Sequence, residues 1–427
     1  MASVVFYFQV HQPCRIRRYS VFDQSPLYFD DEHNRQVLCK VADKCYRPAT
    51  DTILDLVRRH EGRFRVSYSL TGVVLDQLAA WAPDVLDRFK ALADTGCCEF
   101  LAETYHHSLA FLYSREEFVE QIDLHSARIR ELFGVTPRVF RNTELIYNND
   151  LAHFIAGLTD EAGAPRFDGV LCEGADSVLG YRSPNYLYTA PGLSREALGR
   201  RFGLLLKNYR LSDDIAFRFS DRNWSQWPLT AETFASWVNQ INGDGYVCNL
   251  FMDYETFGEH QWADTGIFQF LDALPEKVFD VAPGENHFCT PSEALARFDP
   301  VGEYDAPHMI SWADTERDLS AWLGNPMQSN ALYELYRLEA PIKARLAEAS
   351  TDAERAHAAA LLADWRKLTT SDHFYYMCTK YFADGDVHKY FNPYESPYDA
   401  YINFMNVLDN VRSRAERVKG EPVPAGS

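Results

Sequence analysis

Two acidic side chains lie in short segments that combine carboxylates, amides and aromatic rings. Glu144 lies in FRNTELIYNN and Asp253 lies in LFMDYETFGEHQW, and each segment directly follows a run of apolar residues. Aromatic rings stack against sugar rings, while amides and acids can bond sugar hydroxyl groups. Glycoside hydrolysis needs one carboxylate at the anomeric carbon and one protonated carboxyl group at the leaving oxygen. The two segments therefore predict a glycosidase site whose two acids come from different strands.

Further polar side chains follow the other short apolar runs of the chain. In parallel α/β architectures the active site lies where the strands end, so we expect these side chains to collect at one edge. The sequence does not separate those that line a pocket from those that border it, and the roles of His106, Glu173 and Asp176 stay open. The residues that follow the predicted strands are His11, Gln12, Glu103, His106, His107, Asn142, Glu144, Glu173, Asp176, Asp213, Asp214, Asp253, Glu255 and His260.

Seven short apolar runs alternate with helical patterns over about the first 300 residues. Runs that are apolar on both faces and separated by helices predict a parallel sheet covered on both sides. Seven such units are one short of a full (β/α)8 barrel, so we predict an α/β fold with an incomplete (β/α)7 TIM-like barrel. A doubly wound sheet is the alternative. The predicted strands are Val4–Val10, Phe64–Leu70, Cys97–Leu101, Arg138–Arg141, Phe167–Cys172, Phe202–Lys207 and Val247–Met252.

The last part of the chain changes to long helical patterns dominated by Ala, Leu, Glu and Arg. The stretches 330–350, 352–377 and 396–418 have no strand between them, which predicts a C-terminal helical bundle. We therefore predict a catalytic barrel over residues 1–305 and a helical domain over residues 306–427. The helical domain is expected to contribute to the active-site cleft.

Charge and composition exclude several classes of protein. The 427 residues carry 42 Lys+Arg against 61 Asp+Glu, a net charge of −19, and 14% are aromatic. Binding to nucleic acid or to an anionic membrane surface needs a basic face, so neither partner is expected. The chain has no run of 18 apolar residues, and the N-terminal MASVVFYFQVHQP lacks a basic region, so we expect neither a membrane span nor a signal peptide. Nine scattered cysteines without a CxxC pair indicate reduced thiols in a cytoplasmic protein.

Five short regions, in order along the chain, resemble those of glycoside hydrolase family 57 in its α-amylase-type branch. They are VHQP at 10–13, GCCEFLAETYHHSLA at 96–110, FRNTELIY at 140–147, MDYETFGEHQ at 252–261 and SWADTERDLSAWLGNPMQ at 311–328. The resemblance covers nearly the whole chain. It implies a seven-stranded incomplete barrel followed by helices, which is the fold predicted above.

The resemblance implies a retaining mechanism on α-1,4-glucans such as glycogen, starch or maltooligosaccharides. In that mechanism Glu144 attacks the anomeric carbon, while Asp253 donates a proton to the leaving oxygen and later accepts one. Retention predicts carboxyl groups about 5–5.5 Å apart, and the charge of Glu144 is expected to raise the pKa of Asp253. Neither a cofactor nor a metal is expected. The residues expected to contact the sugar are His11, Gln12, Glu103, His107, Trp312 and Asp314.

Other activities stay open at the level of the sequence. Similar motifs in the family serve 4-α-glucanotransferases and branching enzymes, although the SWADTERDLSAWLGN string is most like the α-amylase branch. A more distant alternative is a metal-dependent polysaccharide deacetylase, whose spaced histidine pair the adjacent His106 and His107 do not reproduce. A glucan-binding protein without catalysis is the last alternative. An alternative role for Glu144 is purely structural, as the ion-pair partner of Arg138 or Arg141.

Overall fold

The computed structural model describes residues 2–382 and 392–416. Those residues form two compact units, the first of which holds the strands of the two sheets, while the second is mainly helical. The predicted boundary between residues 305 and 306 falls near the last change of unit, whereas two earlier segments also group with the helical unit. Among the described residues, unit 1 comprises 2–12, 36–104 and 122–312, and unit 2 comprises 13–35, 105–121, 313–382 and 392–416.

Two mostly parallel sheets form the centre of unit 1. Their strands are β1 (Ser3–Val10), β2 (Val66–Leu70), β3 (Cys98–Phe100), β4 (Val139–Arg141), β5 (Gly169–Glu173), β6 (Leu187–Tyr188), β7 (Gly203–Lys207), β8 (Val247–Asp253) and β9 (His287–Phe288). The first sheet has the order β3-β2-β1-β8 with β9 also on β1, and the second has the order β4-β5-β7-β6. Only β6 pairs antiparallel among these strands. All seven predicted strands are present, and β6 and β9 are additional.

Several of the helices up to residue 312 begin at a side-chain cap. Thr230 accepts a hydrogen bond from the N–H of Thr233 and caps the helix that follows. A helical pattern over residues 73–95 is split into two helices because Pro83 cannot continue the first one. These helices are α1 (Asp31–Val41), α2 (Arg47–Arg59), α3 (Gly72–Trp81), α4 (Pro83–Asp94), α5 (Ala110–Tyr113), α6 (Arg115–Phe133), α7 (Asn149–Gly157), α8 (Asp176–Leu179), α9 (Arg195–Leu198), α10 (Tyr209–Ala216), α11 (Ala231–Asn239), α12 (Ile267–Val281) and α13 (Pro291–Arg297).

The helices after residue 312 pack on one another within unit 2. The indole of Trp365 donates to the Leu335 carbonyl at 2.8 Å, and Arg412 contacts Glu334 at 2.8 Å. The predicted stretch 330–350 is divided at Arg337, and the last two residues of the stretch 396–418 lie outside the described residues. These helices are α14 (Ser320–Leu323), α15 (Pro326–Tyr336), α16 (Glu339–Ala347), α17 (Asp352–Leu368), α18 (Asp372–Tyr375) and α19 (Pro397–Glu416).

Two expectations from the sequence concern the cysteines and membrane spans. Six of the nine cysteine thiols are buried, and no two cysteines are joined to each other. No helix within residues 2–382 and 392–416 is long and apolar enough to cross a membrane.

Strand β1 separates two apolar clusters of unit 1. All of its residues are buried, and successive side chains point to opposite faces of the sheet. Val4, Phe6 and Phe8 pack in a cluster with the surrounding helices, whereas Val5 and Tyr7 pack in a second, inner cluster. The inner cluster contains Val5, Tyr7, Leu101, Val139, Leu171, Leu187, Leu205, Val247 and Phe251, which come from both sheets. The two sheets therefore share one apolar interior.

Candidate active site

A layer of polar side chains lies directly beyond the inner cluster. Because side chains alternate along a strand, the residue two positions after an inward apolar residue points to the same side. On or just after six strands that residue is polar or charged, and we call these six residues the polar layer. The apolar residues and their polar-layer partners are Tyr7 and Gln9, Leu101 and Glu103, Val139 and Arg141, Leu171 and Glu173, Leu205 and Lys207, and Phe251 and Asp253.

Glu144 lies just after β4, in a turn with an unusual backbone. Its φ is 58° and that of Leu145 is 50°, both in the left-handed region that residues other than glycine rarely adopt. The side-chain amide of Asn142 donates to the Ile146 carbonyl at 2.9 Å and closes the turn. Such a backbone persists only where the surrounding structure fixes it, and it is frequent at active sites.

Trp312 binds Glu144 through both its backbone and its indole. Tyr147 and Ile310 exchange backbone hydrogen bonds of 2.9 Å, which hold the segment before Trp312 beside the Glu144 turn. The backbone N–H of Trp312 then donates to the Glu144 carbonyl at 3.3 Å, and its indole Nε1 donates to Glu144 Oε2 at 2.7 Å. A donor at that distance stabilises the ionised carboxylate. Trp312, which the sequence predicts as a sugar contact, thus contacts the predicted nucleophile.

Two cations from the polar layer lie against the ring of Trp312. Arg141 Cζ is 4.9 Å and Lys207 Nζ is 5.4 Å from the ring centroid, both within cation–π range. Lys207 also contacts Asp213 Oδ1 at 3.1 Å and Glu173 Oε2 at 3.8 Å. The charge of Lys207 is therefore shared with two carboxylates, whereas that of Arg141 is directed at the indole ring.

The structural alternative for Glu144 is an ion pair with one of two arginines. Arg138 instead binds Asp168 through two nitrogens, at 2.8 and 3.0 Å, at the opposite end of β4. Arg141 contacts Trp312, as described above. Arg138 therefore binds Asp168 just before β4, and Arg141 at the end of β4 contacts the Trp312 ring rather than any carboxylate of the described residues.

Asp253 ends β8 beside a second carboxyl group. In the parallel pairing of β1 with β8 it lies opposite Gln9. Two residues further, Glu255 is buried, and burial together with the charge of Asp253 raises the pKa of Glu255 to about 8. The Tyr46 hydroxyl donates to Glu255 Oε1, and the side chain of Gln12 is hydrogen-bonded to the same carboxyl group. Below about pH 8, therefore, the acid next to Asp253 is mostly neutral.

Glu103 is fully buried and is held from two sides. Gln9 Nε2 donates to its two carboxylate oxygens at 3.1 and 3.4 Å, and Gln9 Oε1 accepts from the Tyr7 hydroxyl at 2.7 Å. The N–H of Glu103 donates to Nδ1 of His125 at 3.3 Å, and the other ring nitrogen lies 2.8 Å from the Leu70 carbonyl. Burial lowers the pKa of His125, so the ring is neutral and Nε2 carries its proton. A contact between Glu103 and sugar stays a prediction.

The hydroxyl of Tyr7 is influenced by charges from both sides of the site. Burial raises its pKa, the positive charge of Arg141 opposes that rise, and the charges of Glu103 and Asp253 add to it. Coulomb interactions weaken with distance, so these three charged groups lie around one hydroxyl group. The polar layer therefore brings the strand that precedes Glu144 and the strand that ends in Asp253 to one interior. The separation of about 5–5.5 Å between the two carboxyl groups stays a prediction.

His11 and Gln12 follow β1 directly. Nδ1 of His11 lies 2.9 Å from the hydroxyl of Thr71, which also caps α3. The carbonyl of Gln12 accepts from the side-chain amide of Gln77 at 2.8 Å, and its side chain reaches Glu255 as described. Both residues are anchored at the end of β1, and their contacts with sugar stay predictions.

The predicted residues His107 and Asp314 belong to unit 2. The carbonyl of His107 accepts from the N–H of Ser371 at 2.9 Å, and Asp314 lies 3.3 Å from Lys380 Nζ. Burial, with the nearby Arg366 and Lys367 charges, lowers the pKa of His106 to about 3. Within the described part of the chain, no three His, Cys, Asp or Glu side chains are grouped as a metal ion would require. The roles of His107 and Asp314 stay predictions.

Several residues around the two acids were not predicted from the sequence. Gln9, Arg141 and Lys207 belong to the polar layer, and Tyr46 donates a hydrogen bond to Glu255, the neighbour of Asp253. A period-two count finds the first three only once the structure shows which apolar residues point inward. No sequence signal points to Tyr46, because it lies 209 residues away from its partner Glu255.

Comparison with known proteins gives the same class of enzyme. The sequence profile of Glycosyl hydrolase family 57 matches residues 5–307. A protein named "Putative alpha-amylase" from Methanocaldococcus jannaschii is 42% identical over 413 residues, covering 95% of this chain and 83% of that protein. The chain therefore belongs to glycosyl hydrolase family 57 and is a glycoside hydrolase.

Solved structures share the fold at low sequence identity. A branching enzyme of this family from Thermococcus kodakaraensis matches with a TM-score of 0.63 and 14% identity, covering 96% of this chain and 89% of that chain. The 4-alpha-glucanotransferase from Thermococcus litoralis matches with a TM-score of 0.55 and 17% identity over 91% of this chain. This chain spans 54% of the glucanotransferase, about half its length. The α/β fold is common to all three chains.

Proposed function

We propose that the protein is a retaining α-glucan hydrolase of the α-amylase type that cleaves α-1,4 bonds of glycogen, starch or maltooligosaccharides. The observation that carries the proposal is the difference between the surroundings of two acids. Glu144 accepts a hydrogen bond from Trp312, whose ring lies against two cations, whereas Asp253 lies beside Glu255 and this pair of carboxyl groups keeps a proton below about pH 8. A retaining glycosidase needs this division, because one carboxyl group must attack as an anion and the other must donate a proton.

The proposed reaction has two displacements at the anomeric carbon. A Glu144 oxygen forms a bond to that carbon while the glycosidic C–O bond breaks and the Asp253 proton moves to the leaving oxygen. Asp253, now ionised, then takes a proton from water as the water oxygen attacks the same carbon. The ester bond to Glu144 breaks, and both acids return to their starting states. Two inversions give a product with the α configuration of the substrate.

We propose that the sheets form the incomplete (β/α)7 barrel and that unit 2 includes a helical bundle that contributes His107 and Asp314 to substrate binding. The shared inner cluster supports the barrel, because side chains from both sheets fill one interior. Backbone bonds from Ala102 to Val139 and from Asn208 to Asn249 also join strands of the two sheets. His11, Gln12, Glu103 and Trp312 complete the proposed sugar-binding set. A cytoplasmic location remains part of this proposal.

Transfer to a second sugar is the alternative outcome of the same intermediate. Asp253 would then take the proton from an acceptor hydroxyl rather than from water. The fold likeness to a branching enzyme and to a 4-alpha-glucanotransferase is the observation that favours it. The 42% identical relative named as an alpha-amylase favours hydrolysis.

Incubation with maltoheptaose, with products and anomers followed by NMR over the first minutes, tests the proposal. Shorter oligosaccharides that first appear as α anomers are expected. Longer products indicate glucanotransfer, and new α-1,6 linkages indicate a branching enzyme. Binding without any product indicates a glucan-binding protein. Activity on acetylated polysaccharide that is lost to a chelator and kept in Glu144→Gln indicates a deacetylase.

A further inference from the structure

Arg141 has surroundings that the proposed reaction leaves unexplained. Its side chain is fully buried, and none of its three guanidinium nitrogens has a hydrogen-bond partner among the described residues. Burying an ionised group without such partners is costly, so an interior arginine of this kind needs a compensating charge nearby. Because it has no exposed surface, Arg141 does not reach a sugar in the cleft. Any effect on the reaction must pass through a neighbouring residue.

Trp312 is the neighbour that connects Arg141 to the reaction. The guanidinium lies 4.9 Å from the ring centroid, and the same indole donates its N–H to Glu144 Oε2 at 2.7 Å. A cation against the ring draws electron density toward itself and makes the indole N–H a stronger donor. We propose that Arg141 is a positioning residue that acts through Trp312 to hold Glu144 as an oriented, ionised nucleophile. The inference rests on the proposed function, because it needs Glu144 as the attacking group.

Arg141, rather than Lys207, is the cation whose charge acts on the Trp312 ring without a carboxylate partner in the described part of the chain. Lys207 also lies against the Trp312 ring, but it contacts Asp213 and Glu173 within 4 Å. Among the described residues Arg141 has no ion pair at that distance, so its charge is not cancelled by one neighbour. The charged groups that face the Trp312 ring are Arg141 on β4 and Lys207 on β7, and Lys207 contacts Glu173 on β5 and Asp213 on α10. The charge of Arg141 also acts on Tyr7 on β1, as do those of Glu103 after β3 and Asp253 on β8.

The pH dependence of kcat/KM on maltoheptaose separates this positioning role from a structural one. The acidic limb of that profile reports the ionisation of the nucleophile in the free enzyme. Arg141→Met removes the cation, and we expect the acidic limb to move to higher pH by about one unit. Trp312→Phe removes the donor and keeps a ring, so it is expected to move the limb in the same direction. In the Trp312→Phe background, Arg141→Met is expected to add little, because the two residues act in series.

Two further variants keep the test decisive. Arg141→Lys retains a cation, so the acidic limb should stay closer to that of the unmodified enzyme. Arg138→Met is the matched control, since Arg138 begins the same strand region and binds Asp168 away from the site, and the limb should not move. If Arg141→Met does not fold, the pH profiles of Arg141→Lys and Trp312→Phe test the inference instead. An unchanged acidic limb in Trp312→Phe overturns it.

Two other outcomes overturn it. Arg141→Met lowering the rate equally at every pH shows a purely structural role, and an equal shift with and without Trp312 shows that the ring is not the connection. Failure of the proposed function is recognised separately, since Glu144→Gln would then remain active. An inactive Glu144→Gln together with an unmoved limb in Arg141→Met rejects the positioning role alone.

Discussion

Glu144 and Asp253 are both carboxyl groups at the ends of parallel strands, yet their neighbours differ in charge. Glu144 accepts the indole N–H of Trp312, and the ring of Trp312 lies against Arg141. Asp253 has Glu255 two residues away, whose raised pKa results from burial and from the charge of Asp253. Cations and donors favour an ionised acid, whereas two adjacent carboxyl groups resist ionising together, so the pair of Asp253 and Glu255 keeps a proton below about pH 8. Side chains of the same chemical type can therefore take opposite roles because of their surroundings.

The backbone also differs between the two positions. Asp253 is the last residue of a regular seven-residue strand, so its direction follows from the pleat of β8. Glu144 follows the three-residue strand β4 and has a left-handed backbone that Asn142 and Trp312 hold in place. The predicted nucleophile is thus positioned by a specific turn, and the predicted acid by ordinary strand geometry. Substitutions around Glu144 should therefore disturb activity more widely than those around Asp253.

The largest expected effect is that of removing the nucleophile. Glu144→Gln keeps the size of the side chain and its contact with Trp312, but an amide does not form the glycosyl ester. We expect kcat/KM on maltoheptaose to fall by about 10,000-fold or more. Glu161→Gln, at an exposed position of unit 1, is the matched control and should retain full activity. A Glu144→Gln enzyme with more than about one tenth of the activity would remove Glu144 from the mechanism.

The loss from Asp253→Asn should be smaller and should depend on the leaving group. Proton transfer by a positioned acid contributes roughly 100- to 10,000-fold, so we expect a loss in that range on maltoheptaose. A nitrophenyl maltooligosaccharide has a leaving group that departs without a proton, so its first displacement should be nearly unaffected. Glu144→Gln should show no such recovery on the activated substrate.

The matched control for Asp253→Asn is Asp244→Asn, at an exposed position before the start of β8. It should leave both substrates unchanged. Equal losses of Asp253→Asn on maltoheptaose and on the nitrophenyl substrate would contradict the acid role. In that case the different surroundings of Glu144 and Asp253 would not correspond to different roles in the reaction.

The strands were predictable because they are short, apolar on both faces and separated by helical patterns. Each of the seven predicted strands overlaps an observed strand. The grouping of residues 13–35 and 105–121 with unit 2 was not predictable, because it depends on contacts with segments far along the chain. The break at Arg337 was also missed, although Pro341 in the same stretch signals it, because proline has no N–H to bond the carbonyl four residues earlier, which is that of Arg337.

The predicted acids could be found from the sequence because each lies in a segment rich in polar and aromatic residues. Gln9, Arg141 and Lys207 of the polar layer were missed because a strand that is apolar on both faces gives no sign of which face is inward. Once Val139 is known to pack in the inner cluster, Arg141 follows as the next inward residue of β4. The contact of Trp312 with Glu144 spans 168 positions along the chain and needs the folded structure.

A smaller effect, on stability rather than on turnover, tests the surroundings of Asp253. Glu255 has a folded-state pKa of about 8, above its ordinary value of 4.5. Between these values the folded protein keeps the proton and the unfolded chain releases it, so this group contributes stability that is lost as pH rises toward 8. Glu255→Gln resembles the protonated side chain at every pH and lacks this loss. The free energy of unfolding of the variant minus that of the unmodified protein should therefore increase by on the order of 3 kcal/mol between pH 5 and pH 8.

Urea unfolding of both proteins at pH 5, 6.5 and 8 measures this difference, and Glu161→Gln provides a control that should follow the unmodified protein throughout. Near pH 6 the activity of Glu255→Gln should change by less than about threefold, because the acid it replaces is already neutral there. Parallel stability curves for Glu255→Gln and the unmodified protein would mean that Glu255 is ionised in the folded state at neutral pH. Glu255 would then be a permanent negative charge beside Asp253. In that case the pair of carboxyl groups would not keep a proton on Glu255 at neutral pH, and Glu255 would no longer explain the difference between Asp253 and Glu144.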